Sequence, residues 1–446
     1  MKLKTTSLLI AATLFGAAVA PAQANNDAMV DLLKVLRDKG TISAQDFDLL
    51  TGAAKADKEA SEEIANKVAK VEKEATTISL KGGHLKIKSA DKAFSAQIGG
   101  RVMVDYASMN EDDLGGKGNA SELRRARLFV KGTAFTDFGY KLQLDFGSAG
   151  KDGKSVAMKD AYIQYNGWKP AKITLGNHKM PFGLEELTSS KYITFIERSA
   201  ASEAFGVGRK NGLSIGTSGS NWTLKGAVHM NGTLANNSGQ DEDFGYGARV
   251  TFAPLSEKTQ VIHLGAAFHH QEFGNEAGEE LQLEVRPEVH TAGKIFKSYE
   301  DKFEDMNQYG LEAAAVFGPF SVQAEYVHAS FNAIDGSEDQ DLESFYVYGS
   351  YFITGESRKY KKGEFSRVKP KSIVGQGGTG AWEVALRYSD LDLEDNGLGN
   401  AGDVTTIGLN WYATPTVRVM ANYTSADVDG EDDDFNAFNL RGQIDF

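Results

Sequence analysis

The residues with the most chemical reach in this chain are basic ones spaced for a strand. In Leu123–Lys131 (LRRARLFVK), Ala126, Leu128 and Val130 share one parity, while Arg125, Arg127 and Lys131 share the other with Phe129. Alternate residues of a strand face opposite sides. If the apolar set meets lipid, three cations project from one strand into an enclosed lumen. The same parity turns Arg101, Lys141, Lys225, Arg249, Arg387 and Arg418 inward. Guanidinium forks grip phosphate oxygens in pairs, and lysine adds a point charge. A low-dielectric wall would strengthen that field and concentrate anions. Asp105, Asp145, Asp160, Glu312, Glu325 and Glu383 share the inward parity. The lining is therefore mixed, and parity leaves a general pore open beside an anion-selective one.

Other chemistry finds less support. Gly212 to Gly216 (GLSIG) matches a nucleophile elbow. An elbow needs a strand, a sharp turn and a helix, whereas this match lies inside a strand pattern followed by another strand. A nucleophilic Ser214 is not expected. His-Glu-x-x-His and phosphate-loop motifs are missing. The absence of cysteine excludes disulfides and thiolate metal sites. His269-His270 is the sole adjacent histidine pair and reads as a lumen or loop-end feature before a metal ligand. Asp112-Asp113 and Glu431 to Asp434 read as solvated acidic loops. A formal charge of -13 argues against nucleic acid as a partner. Neither an enzyme nor a cofactor is expected.

The elements that must position the cations begin at Phe94. Runs of roughly ten residues, separated by turn signals, continue to Phe446 and suit tilted spanning strands. The count is about sixteen, an even number as bacterial barrels require. In the last run, Phe446, Ile444, Gly442, Leu440 and Phe438 alternate with Asp445, Gln443, Arg441, Asn439 and Ala437. A mean hydropathy of -0.35 excludes a helical membrane protein. It does not exclude a barrel, because only every second strand residue meets lipid. Tight links such as Asp137, Gly318-Pro319 and Thr414 alternate with longer polar loops, the arrangement of outer-membrane barrels.

Two connections are unusually long, Met180–Gly208 and Gly355–Thr379. Segments of this kind can fold inward and narrow a lumen. The second falls on the short-turn, periplasmic side. It carries Arg358, Lys359, Lys361, Lys362, Arg367, Lys369 and Lys371 against Glu356 and Glu364. That composition makes it either a cationic periplasmic mouth or a solvated basic turn.

The other end of the chain sets its address. Lys2 and Lys4, the apolar run Leu8 to Ala20, and Ala22-Gln23-Ala24 read as a secretory signal peptide over residues 1–24. Residues 25–75 read as a helical periplasmic segment. Met29, Leu32, Leu33 and Leu36 form a stripe, Gly40 ends that helix and Ser43 caps the next. Ile64, Val68, Val71 and Ala75 follow coiled-coil spacing, so the segment is either an oligomerising helix or a solvated linker. Residues 76–93 form a short adapter, and residues 94–446 the barrel.

Several motifs together resemble the phosphate-selective porin O/P family. They are Arg124-Arg125-Ala126-Arg127-Leu128, Lys159 to Ile163 (KDAYI), Gly176 to Ser190 (GNHKMPFGLEELTSS) and Phe195 to Ser199 (FIERS). Farther on are Tyr351 to Arg358 (YFITGESR), Gly380 to Glu383 (GAWE), Arg387 to Ser389 (RYS) and Gly408 to Tyr412 (GLNWY). The terminal strand ending in Phe446 is likewise similar to the C-terminal strand of bacterial outer-membrane barrels. The resemblance implies a sixteen-stranded homotrimeric barrel in outer-membrane lipid, with inward loops forming an anion-selective constriction. It implies passive uptake of phosphate or polyphosphate. Carried over by position, Arg124 and Arg125 match the paired arginines near the constriction. Asp160 matches a counter-charge, and Ser189, Ser190 and Lys191 lie in the inward loop. Arg124 has lipid-facing parity, so it reaches the pore only if its strand is irregular. A general diffusion porin and a closed structural or adhesive barrel are the competing readings.

Overall fold

The computed structural model describes residues 20–110, 114, 116–147, 156–230, 244–273, 280–334, 338–432 and 434–446. Most of the expected signal peptide, Asp112-Asp113 and the loop at 231–241 lie outside the described residues. The chain divides into two compact units. One runs to Thr77 and includes Lys88–Lys92; the other comprises Ile78–Ile87 and Ala93–Phe446.

The first unit is a helical hairpin of α1 (Ala20–Asp38) and α2 (Ala44–Glu74). Gly40 adopts φ 73° after α1, a conformation that costs glycine little. Ser43 Oγ then accepts the Asp46 amide at 3.1 Å and caps α2. Leu33 and Ala54 are buried, and Lys58 Nζ meets Asp27 at 2.9 Å.

The second unit is a closed antiparallel barrel of sixteen strands. They are β1 (Ser95–Met109), β2 (Asn119–Ala134), β3 (Phe138–Asp145), β4 (Ala157–Tyr165), β5 (Lys172–Lys179) and β6 (Arg209–Ser218). Next come β7 (Trp222–Met230), β8 (Phe244–Ser256), β9 (Gln260–Glu272), β10 (Phe303–Phe317) and β11 (Phe320–Ala333). The cylinder is completed by β12 (Gln340–Phe352), β13 (Ala381–Asp392), β14 (Ala401–Tyr412), β15 (Val417–Val428) and β16 (Phe435–Asp445). β16 pairs back onto β1, with Asp445 opposite Arg101. Closure leaves no free edge, the condition for strands to cross lipid. The adapter hairpin Thr77–Lys81/His84–Lys88 joins this sheet at the start of β1.

Burial is inverted relative to a water-soluble protein. Leu386 is 55 % exposed while its neighbour Arg387 is 0 % exposed. Leu128, Ile163, Leu311 and Ile407 likewise face outward, and Arg441, Asn410 and Glu383 are buried inside. The alternation thus sends apolar side chains to lipid and charges to the lumen.

Three connections fill much of that lumen. The inward loop between β5 and β6 carries α3 (Leu184–Leu187) and α4 (Ala200–Phe205). Between β9 and β10, the outer loop contributes the ribbon Glu284–Val285/Phe296–Lys297. Its Val285, Val289 and Phe296 pack with Val327, Phe331, Leu342, Leu391, Val404 and Phe435 from the ends of β11–β16. The periplasmic turn between β12 and β13 contributes a second ribbon, Lys359–Lys361/Glu364–Ser366. This turn folds inward: Phe365 is buried beside Leu184, Val261 and Val316.

Candidate functional site

Two strand irregularities shape the waist. Along β1 and β2, Met103 lies opposite Arg125 but Val104 lies opposite Leu123, so Arg124 is an extra residue. Such a bulge re-aims a side chain. Arg124 therefore escapes its lipid-facing parity and turns inward beside Arg125. Along β3 and β4, Gln143 faces Asp160 and Leu144 faces Met158, which makes Lys159 extra in the same way. Lys159 neighbours Arg127, Asp145 and Arg209.

Below the inward loop lies a cavity of about 370 Å³. Eight cations line it: Arg101, Arg125, Arg127, Lys141, Lys179, Arg198, Arg209 and Lys225. The lining carboxylates are Asp160, Glu186 and Glu364. Asp160 is held by Lys141 at 2.6 Å and Arg209 at 2.9 Å. Glu186 is held by Lys179 and Arg198, both at 3.1 Å. Burial opposes ionisation of Glu186, yet these cations hold its carboxyl at about 2. Arg127 pairs with Asp145 at 2.6 Å. Arg125 pairs with Glu197 at 3.1 Å, which leaves Arg101 and Lys225 unneutralised. Arg101 donates to the Ser190 hydroxyl at 2.7 Å, and Lys225 donates to the Lys179 carbonyl at 3.1 Å. Neither forms an ion pair with a described carboxylate. Ser189 also lines the cavity.

The opposite wall carries arginines of another kind. Arg387 binds Glu288 of the outer loop and reaches Glu185 of the inward loop at 3.3 Å. Its guanidinium also lies 4.3 Å over the Phe195 ring. Glu288 further accepts from Ser389 and Thr406, both at 2.7 Å. Arg441 joins Asp105 to Glu197, each at 2.5 Å. Arg418 donates to the carbonyls of Ile193 at 2.7 Å and Thr194 at 2.8 Å. Each of these cations is consumed in holding a loop against the wall.

The residues singled out from sequence are divided among several places. Arg124 grips Glu197 with two hydrogen bonds of 3.0 Å, and Arg125 grips the same carboxylate at 3.1 and 3.3 Å. Burial raises the Glu197 carboxyl, but Arg124, Arg125 and Arg441 hold it well below the usual carboxylate range. The arginine pair is therefore a loop clasp, and only Arg125 of the two lines the cavity. Lys131 is exposed, 5.6 Å from the Phe129 ring, and outside the cavity. Lys191 lines a separate cleft with Arg367 and Asp445, pairing with Asp445 at 3.3 Å. Burial pushes its ammonium down to about 8. Arg124, Arg125 and Lys191 do not share one pocket.

Arg358 is not a charge at the periplasmic mouth. Because its turn folds inward, its guanidinium is buried 3.6 Å over Phe365 and 3.3 Å from Gln323. Lys359 is half-buried, while Lys361 and Lys362 are exposed. Ser214 lies within β6, with its hydroxyl 2.8 Å from His178 Nε2. His269 contacts His229 at 2.8 Å, not a neighbour in sequence. No group of three ligands fit for a metal occurs among the described residues. Sequence reasoning included Lys159, Arg198 and Glu364 in motifs or segments without giving them a site role, and it missed Arg209 and Glu288. The short spacing of Lys159 to Asp160 carried a signal, because two adjacent charges in a strand cannot both face inward without a bulge.

A closed sixteen-stranded barrel with an apolar outer face, a charged lumen and a loop folded across its waist is a porin of the bacterial outer membrane. The chain belongs to the phosphate-selective porin O and P family, which matches residues 96–446. Porin O of Pseudomonas aeruginosa is 29 % identical over 412 residues, covering 83 % of this chain and 92 % of its own length. An uncharacterized protein of Caulobacter vibrioides is 31 % identical over 368 residues, covering 80 % of this chain and 72 % of its own. Among solved structures, a loop L8 deletion mutant of OmpT from Vibrio cholerae aligns with a TM-score of 0.54 at 12 % identity, covering 79 % of this chain and all of its own. The anion-selective porin of Comamonas acidovorans aligns with a TM-score of 0.51 at 13 % identity, over 79 % of this chain and 100 % of its own. These two structures share the barrel fold.

Proposed function

We propose that the barrel is an anion-selective pore for passive uptake of phosphate or polyphosphate, working as a homotrimer. The observation that carries the reading is the unneutralised charge of the waist, above all buried Arg101, which donates to the neutral Ser190 hydroxyl. An anion entering the cavity exchanges water for Arg101, the Ser190 hydroxyl and Lys225. Arg101 and Lys225 carry no acceptor, and their charge repels a cation. Lys141, Lys179, Arg198 and Arg209 already hold carboxylates, which limits how tightly the passing anion is held. Conduction needs that balance, because an ion must leave as well as enter. The family's name and the Comamonas porin's description agree with this reading.

Planar-bilayer recording of the purified full-length protein tests it. In a potassium chloride gradient the zero-current potential should have the sign of chloride permeation, and added phosphate should block chloride current. A cation-selective potential would contradict the reading. Unselective current without phosphate block would favour the general diffusion porin, and no conductance would favour the closed barrel. Cross-linking in outer membranes should give a trimer.

A further inference from the structure

One carboxylate in the cavity has no ion-pair partner. Asp160 and Glu186 are each held by two cations. Glu364 lines the same cavity and forms no ion pair with any described residue. Its ribbon is built to aim it there. Lys362 and Gly363 have φ of 51° and 79°, the geometry of a tight two-residue hairpin turn. The Gly363 carbonyl accepts Arg249 Nη2 at 2.9 Å. A Cβ on Gly363 would lie 3.1 Å from Thr251 Oγ1, so the turn tip sits directly on the wall. Phe365 is buried in the apolar cluster with Leu184. Alternation along the ribbon then sends Glu364 the opposite way, to the lumen.

A free carboxylate in a cationic cavity repels every fully ionised anion. It favours one kind, an oxyanion that still carries a proton. Hydrogen phosphate presents a P–OH donor at neutral pH, whereas sulfate presents acceptors alone. An ionised carboxylate can only accept. We propose that Glu364 accepts the hydrogen bond of the phosphate P–OH while the cavity cations hold the other oxygens, and so selects phosphate over sulfate. Glu364 is open to the lumen, but the enclosing wall strips water from it and raises its carboxyl above the usual value, against the pull of Arg249, Lys179 and Lys225. A carboxylate with raised proton affinity is the better acceptor. The proposal rests on the anion-pore reading above and deepens it.

The test is block of chloride current at neutral pH, titrated with phosphate and separately with sulfate, in the full-length protein. The wild-type pore should be blocked at a lower phosphate than sulfate concentration, by about tenfold, the scale of one hydrogen bond to a charged group. In Glu364→Gln the side chain can donate as well as accept. Sulfate block should tighten, phosphate block should weaken, and the ratio should approach one. Glu364→Asp keeps the charge but withdraws it by one methylene, and should give an intermediate ratio. Equal tightening of both anions in Glu364→Gln would make Glu364 a mere charge and overturn the proposal. So would a wild-type ratio near one, or a ratio unchanged in Glu364→Asp. If neither anion blocks the wild-type pore, the anion-pore reading fails and this proposal falls with it.

Discussion

The two sides of the lumen use the same residue type for opposite purposes. On the β13–β16 side, Arg387 and Arg441 are each 1 % exposed or less and bound to loop carboxylates. On the β1–β7 side, Arg101 and Lys225 face a cavity with no ion-pair partner. Both sets have the inward parity of a barrel strand. What separates them is whether a carboxylate comes within reach. Glu185 and Glu288 go to Arg387, and Glu197 joins Arg441 to Arg124 and Arg125, while among the described residues no carboxylate pairs with Arg101 or Lys225. The contrast teaches that inward charge alone does not define a conduction site; the unneutralised remainder does.

The comparison breaks most visibly at Arg387. Arg387→Ala would leave Glu288 buried without its charge partner, a change that costs about 3–5 kcal/mol. The variant should lose its folded electrophoretic form at a lower temperature than wild type, and its conductance should rise as the loops loosen. An unchanged gel transition would show that Ser389 and Thr406 are sufficient to hold Glu288. At the small end of the scale lie Lys359, Lys361 and Lys362. Replacing all three with Gln should lower anion conductance slightly, and only at low ionic strength, because mouth charges are screened over about 10 Å at 0.1 M salt. An equal fall at all salt concentrations would identify a steric role instead.

The barrel was legible in the sequence because period-two alternation is local. The run Phe438, Leu440, Gly442, Ile444 and Phe446 faces one way whatever its neighbours do. The same logic found Arg101, Arg127, Lys141 and Lys225. Parity alone could not place Arg124, which reaches the lumen only through an irregular strand; the bulge that supplies the irregularity depends on the partner strand and resets parity within one residue. The pairing of Arg387 with Glu288 joins positions far apart in the chain, and no spacing rule connects them. Arg358 looked like a mouth charge because its neighbours are basic. Its burial follows from Phe365 finding the apolar cluster around Leu184, a tertiary event. Glu364 was outvoted in composition by the lysines around it, although the ribbon gives it the more central position.

The central claim is tested most directly by the zero-current potential of Arg101→Gln in a potassium chloride gradient. Arg101 holds a neutral hydroxyl, so its removal leaves no carboxylate stranded. The account predicts that the potential moves toward zero, with phosphate block weakened and the gel transition of the folded barrel unchanged. A potential identical to wild type would contradict it, and would mean that the unneutralised cations of the open side do not set the selectivity of the pore.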